Sequence, residues 1–155
     1  MKVHKGAVLL TSGDLASAVQ IPGAVSGVIA GVPAIAFKHE LYQTLLARNI
    51  GHDVPSPINY GWNYPGLYPP RDNQLHTAAF GTLHQKGFIL NAMRTGKTYS
   101  SLWAAEYLIQ QGFVKRVLVV CLKTTLRIVW EQALFECLPH RRVSVLHGTR
   151  ERRKD

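Results

Sequence analysis

Gly96-Lys97-Thr98 is the stretch whose residue types and spacing suit a definite chemistry. Before it, Phe88-Ile89-Leu90 reads as a short buried strand, and after it residues 98–111 read as a helix stopped by Gly112. A loop in that place turns backbone N–H groups and the positive end of a helix dipole toward an anion. A lysine there reaches the terminal phosphates of a nucleotide and a threonine hydroxyl holds magnesium, the roles expected of Lys97 and Thr98. Met93, Arg94, Thr95 and Gly96 complete the loop. The motif G-x-x-x-x-G-K-[ST] asks for glycine six positions before the lysine, and the chain has Asn91 there. The plain alternative is a strand-to-helix turn with a solvated lysine.

The elements that must hold this loop follow from the pattern beyond residue 70. Residues 75–83, 98–111 and 126–138 read as helices, and 87–90, 116–121 and 143–146 as short apolar strands. Strands alternating with helices of this length predict a parallel sheet with helical crossovers, which binds ligands at the carboxyl ends of its strands. The front reads as small α+β structure: a strand at 7–10, a hairpin or meander within 25–37, and a helix over 38–49 with Leu41, Leu45 and Leu46 as its stripe and Gly51 as its stop. Between them, residues 55–70 hold five of the eight prolines and four aromatics. Three domain segments are therefore expected: an accessory domain at 1–54, a linker at 55–70 and a ligand-binding lobe at 71–155. Tyr60, Trp62 and Tyr64 are expected to pack the linker down, and Tyr68 to be available for stacking on a base.

Composition narrows the partners. The 155 residues carry a net charge of +9, with 46% hydrophobic and 17% charged residues, which suits a folded chain with a polyanionic partner. Residues 1–70 hold four basic and three acidic side chains, and residues 71–155 hold 14 and six, so the net charge is +1 in front and +8 behind. Cys121 and Cys137 form no C-x-x-C and read as buried thiols of a reducing compartment. The seven histidines lack the i, i+4 pairing and neighbouring acid of a metal site. Residues 6–10 are too short for a signal core, and the uncharged run 15–37 is interrupted by Pro22, Pro33 and three glycines, which argues against secretion or membrane insertion and for a cytoplasmic protein.

Asn91-Ala92-Met93-Arg94-Thr95-Gly96-Lys97-Thr98 resembles motif I of superfamily-two helicases, in particular the Swi/Snf-like branch, and its Met-Arg-Thr-Gly-Lys-Thr form is similar to bacteriophage members. In that family the first loop glycine is often absent, and Arg94 stands where the branch commonly has glycine. Upstream, Tyr68-Pro69-Pro70-Arg71-Asp72-Asn73-Gln74 resembles the adenine-reading Gln motif. By that resemblance Gln74 reads the adenine edge and Tyr68 or Arg71 stacks on the ring. Downstream, residues 117–126 with Trp130 resemble motif Ia, which implies that Lys123, Thr124 and Thr125 contact a nucleic-acid backbone; a capping threonine beside a solvated lysine is the open alternative.

The resemblance covers roughly residues 68–148. It implies a partial RecA-like parallel sheet of the P-loop NTPase type, with ATP and Mg²⁺ as cofactors and DNA, or RNA, as partner. The viral affinity implies residence in a host cytoplasm. Such motors also need an Asp-Glu pair and a second lobe with an arginine finger. The chain has no Asp-Glu dipeptide, so no catalytic residue is expected within it, turnover at a motor's rate is not expected, and the remainder of the motor is expected in the full-length protein. Arg141, Arg142, Arg150, Arg152, Arg153 and Lys154 either grip phosphates or await acidic partners. A non-catalytic nucleotide- and DNA-binding module and a different P-loop enzyme, such as a kinase, are the competing expectations.

Overall fold

Apolar residues at every second position give the front of the chain its sheet. In the computed structural model, which describes residues 1–148, strands β1 (Lys2–His4), β2 (Ala7–Leu10), β3 (Val25–Ile29) and β4 (Val32–Lys38) form one antiparallel sheet in the order β1-β2-β4-β3. Val8 stands opposite Phe37 and Leu10 opposite Ile35, and all four side chains are buried on the same face. Helix α1 (Leu15–Ala18) brings Ala18 and α2 (Leu41–Asn49) brings Ala47 to that core, joined by Ile21 and Val54. The β3–β4 connection is two residues, Ala30 and Gly31, with φ of 49° and 79°, the twist that a two-residue hairpin demands. Past the end of α2, Gly51 (φ 88°) donates its N–H to the Arg48 carbonyl and His52 to that of Ala47, both at 3.0 Å, closing the helix as its stop signal implied. The buried positions of α2 are Leu41, Thr44 and Ala47, with Leu46 packed half-buried against the core, so the inward face holds Leu41 and Leu46 of the expected stripe and adds Thr44 and Ala47.

The chain divides into two compact units, Met1–Trp62 with Thr82–Gln85, and Asn63–Gly81 with Lys86–Asp155. The proline-rich stretch is shared between them. In the first unit, His39 Nε2 lies 2.9 Å from the Pro55 carbonyl, its ring meets Tyr60 edge-on at 4.8 Å, and Ser56 and Thr82 share a buried hydroxyl hydrogen bond of 2.6 Å. In the second unit, the Trp103 indole N–H donates to the Pro65 carbonyl at 2.8 Å and Tyr64 packs edge-on against its ring.

That second unit contains α3 (Asp72–Leu83, its last two residues belonging to the first unit), α4 (Lys97–Gln110), and a helical run of α5 (Lys123–Thr125), a π turn (Leu126–Glu131) and α6 (Gln132–Cys137). Leu102, Trp103, Ala104, Tyr107, Ala133, Cys137 and Leu138 are its buried apolar residues on α4 and around α6. Cys137 is buried, and burial pushes its thiol up to about 12; Cys121, expected to be buried, is only half so. Strands do not form at 87–90, 116–121 or 143–146. A parallel strand needs hydrogen-bonded neighbours and covered faces. Here Phe88, Leu90, Leu118 and Val120 are 89%, 90%, 80% and 87% exposed, and the described residues contain no other sheet than the antiparallel one. The molecule is thus a mixed α/β protein with a four-stranded antiparallel sheet, and the described residues do not form the parallel sheet expected from the sequence. No helix among the described residues is long and apolar enough to cross a membrane. Arg150, Arg152, Arg153 and Lys154 lie outside the described residues.

Candidate functional site

The first turn of α4 contains no acidic side chain, and its leading N–H groups have no acceptor within the helix, so its amino end is positive. Gly96 caps it with φ 78° and ψ 27°, and Arg94, two residues earlier, also adopts a left-handed backbone at φ 61°. For a residue with a β-carbon that conformation costs about 1 kcal/mol or more. Arg94 therefore occupies a conformation that glycine would take freely, with its side chain exposed. Thr95 Oγ1 closes the turn by donating to the Ala92 carbonyl at 2.8 Å. Lys97 folds back over the loop, and its Nζ donates to the carbonyls of Asn91 and Ala92, each at 2.8 Å. Thr98, half-buried, stands on the same first turn.

Helix α3 lies directly against this loop. The Gln74 Oε1 accepts the Arg71 backbone N–H at 2.9 Å, while its Nε2 sits so close to Gly96 that a β-carbon there would lie 2.0 Å away. Glycine at 96 thus serves both a left-handed cap and a close approach. One position before Gln74, Asn73 Nδ2 donates to the Thr95 carbonyl at 3.1 Å. One turn on, the Thr77 hydroxyl donates to the Asn73 carbonyl at 2.7 Å and accepts from Asn91 Nδ2 at 2.8 Å. A cavity of about 540 Å³ opens beside these contacts, with Asn73, Thr77, Asn91 and Thr95 in its wall.

The structure accordingly brings Asn73 to Thr95 and Gln74 to Gly96, each pair 22 positions apart in sequence, while Lys97 turns to the Asn91 and Ala92 carbonyls. Met93 and Arg94 form the exposed crest of the loop. Tyr68 is 64% exposed and near Tyr99, whose hydroxyl bonds the Glu136 carboxylate. That bond first, and burial second, raise the Tyr99 hydroxyl above its usual range. Lys123 and Thr124 are exposed, whereas the Thr125 hydroxyl donates back to the Leu122 carbonyl, three residues earlier, at 2.9 Å. Asn73, Thr77 and Asn91 are the site residues that sequence reasoning passes over. Their signal is slight: two polar residues one helical turn apart, and an asparagine where the loop motif asks for glycine. No protein family, curated protein or solved structure matches the chain.

Proposed function

We propose that the second unit binds Mg-ATP through the loop 91–98 and is the nucleotide-binding part of a DNA-dependent ATPase of the helicase or translocase type. The observation that carries this reading is the packing of Gln74 on Gly96, a candidate base reader set against a loop at a helix amino end over which Lys97 folds back. The residues fit the ligand. Among the described residues Lys97 is held by two neutral carbonyls, which a triphosphate oxygen outcompetes as a charge-assisted acceptor. The Gln74 carboxamide offers one acceptor and two donors, the pairing that an adenine edge requires. Thr98 would hold Mg²⁺ through its hydroxyl, and the metal would screen charge on the phosphates. Tyr68 and the Arg71 side chain are the candidates to stack on the base. Lys123, Thr124 and Thr125, with the +8 charge of residues 71–155, are the candidates for nucleic-acid backbone contact, in the cytoplasm where ATP and nucleic acid are both present.

Hydrolysis needs an acidic pair that these 155 residues do not contain, and in this reading it is supplied by the remainder of a motor. The Lys97→Ala variant is expected to weaken equilibrium binding of a fluorescent ATP derivative by at least about 10-fold, the loss of a charge-assisted contact. Unchanged affinity would sink the reading. Phosphate release by the wild-type chain with DNA present is expected to stay at background.

A further inference from the structure

We propose that Asn91 is a positioning residue that couples recognition of the base to recognition of the phosphates, so that the preference for adenine over guanine depends on a side chain that touches no base; this rests on the nucleotide-binding reading above. Asn91 serves the two halves of the site with two different groups. Its backbone carbonyl accepts the Lys97 Nζ at 2.8 Å, which sets the lysine at the phosphate end. Its side-chain N–H donates to Thr77 Oγ1 at 2.8 Å, and that hydroxyl, on a residue only 8% exposed, donates in turn to the Asn73 carbonyl at 2.7 Å. Asn73 then returns to the loop through its donation to the Thr95 carbonyl at 3.1 Å. The relay ties both ends of the loop, residues 91 and 95, to one turn of α3.

Gln74 rides on that turn. With Oε1 held by the Arg71 N–H and Nε2 pressed onto Gly96, its carboxamide has one setting relative to the loop. Adenine carries an amino donor beside a ring-nitrogen acceptor where guanine carries a carbonyl acceptor in place of the amino group, so discrimination needs that setting held to within about 0.5 Å. Glycine at 91 would keep the carbonyl for Lys97 and lose the tether to Thr77. The departure from the loop motif is, on this argument, the feature that locks the base reader in register.

The test measures the affinities of fluorescent ATP and GTP derivatives, and of inorganic tripolyphosphate by competition, for the wild-type chain and for N91G, N91A, T77V, T77S, N91G/T77V and K97A. Wild type is expected to prefer ATP. N91G, N91A and T77V are expected to lower the ATP-to-GTP ratio by about 3- to 10-fold each, the worth of one hydrogen bond, with tripolyphosphate affinity held within about 2-fold. The double variant is expected to be no worse than the single ones, because both break one relay, and T77S, which keeps the hydroxyl, is expected to retain the ratio. A wild type without base preference, an unchanged ratio in N91G and T77V, or an equal loss for all three probes would overturn the proposal. K97A separates the two readings. If K97A weakens all three probes while N91G leaves base preference intact, only the coupling falls; if wild type binds none of the probes or K97A binds as wild type does, the nucleotide reading falls and takes the coupling with it.

Discussion

Glu106 is a carboxylate 1% exposed on α4, and it survives there because four donors reach it. Arg141 contributes Nε at 2.7 Å and Nη2 at 2.8 Å, Gln110 its Nε2 at 2.8 Å, and His140 its ring at 3.2 Å. Burial by itself pushes the Glu106 carboxyl up, and the bonds from Arg141, Gln110 and His140 together outweigh it and hold the group at about 2. A folded-state value below the ordinary 4.5 means that the cluster stabilises the protein fully above about pH 4.5 and ceases to do so as pH falls toward 2. Glu106→Gln keeps the shape and gives up the charge. It is expected to cost about 2 kcal/mol at pH 7 in urea unfolding, below the range for a fully buried pair because Arg141 is partly in water. The difference from wild type should shrink as unfolding is repeated toward pH 2. The cluster is not legible in the sequence, since Gln110 alone is a near neighbour and His140 and Arg141 lie 34 and 35 residues on. The turn that opens α4 at Lys97 and Thr98 is legible because its glycine cap and the helix spacing after it are local. Asn91 shows in the sequence only as a missing glycine, since its value depends on Thr77, 14 residues upstream.

Elements differ in the same way. The strand at 7–10, the hairpin within 25–37 and the helices around α2, α3 and α4 follow from alternation, helical spacing and glycine stops, all of them properties of neighbouring residues. β1 is too short and mixed to announce itself, with Lys2, Val3 and His4, and α1 is a single turn opened by Asp14, whose side chain accepts the Ser17 N–H at 3.1 Å. The segments 87–90, 116–121 and 143–146 have the composition of interior parallel strands and no ladder, because a strand is a property of a pair and not of a segment. Hydrogen–deuterium exchange tests this directly. Amides of 88–90 and 117–121 are expected to exchange at near-unprotected rates, while those of β2, β4 and the interior of α4 are protected by at least about 100-fold. Strong protection at 117–121 would show that the segment is paired in solution.

For the whole molecule, the charge asymmetry is the dominant property. With +8 on residues 71–155 against +1 on residues 1–70, nucleic-acid affinity is expected to reside in the second unit and to fall steeply with salt. In filter binding, the slope of log affinity against log salt is expected to decrease by about 1 in Lys123→Ala if that ammonium meets a phosphate, at any sequence of DNA. An unaltered slope would remove Lys123 from the interface. The partition of the chain has a practical corollary for dissection of the gene. The polypeptide passes from one unit to the other at 62–63, at 81–82 and at 85–86, so neither unit is a continuous segment. A fragment ending at residue 62 would strand the Ser56 hydroxyl without Thr82, and one beginning at residue 71 would deprive the Trp103 indole of Pro65 and Tyr64. Each cut opens a buried polar group or an aromatic stack, and a loss of folding in either fragment would report on the site of scission and not on the worth of the half that was kept.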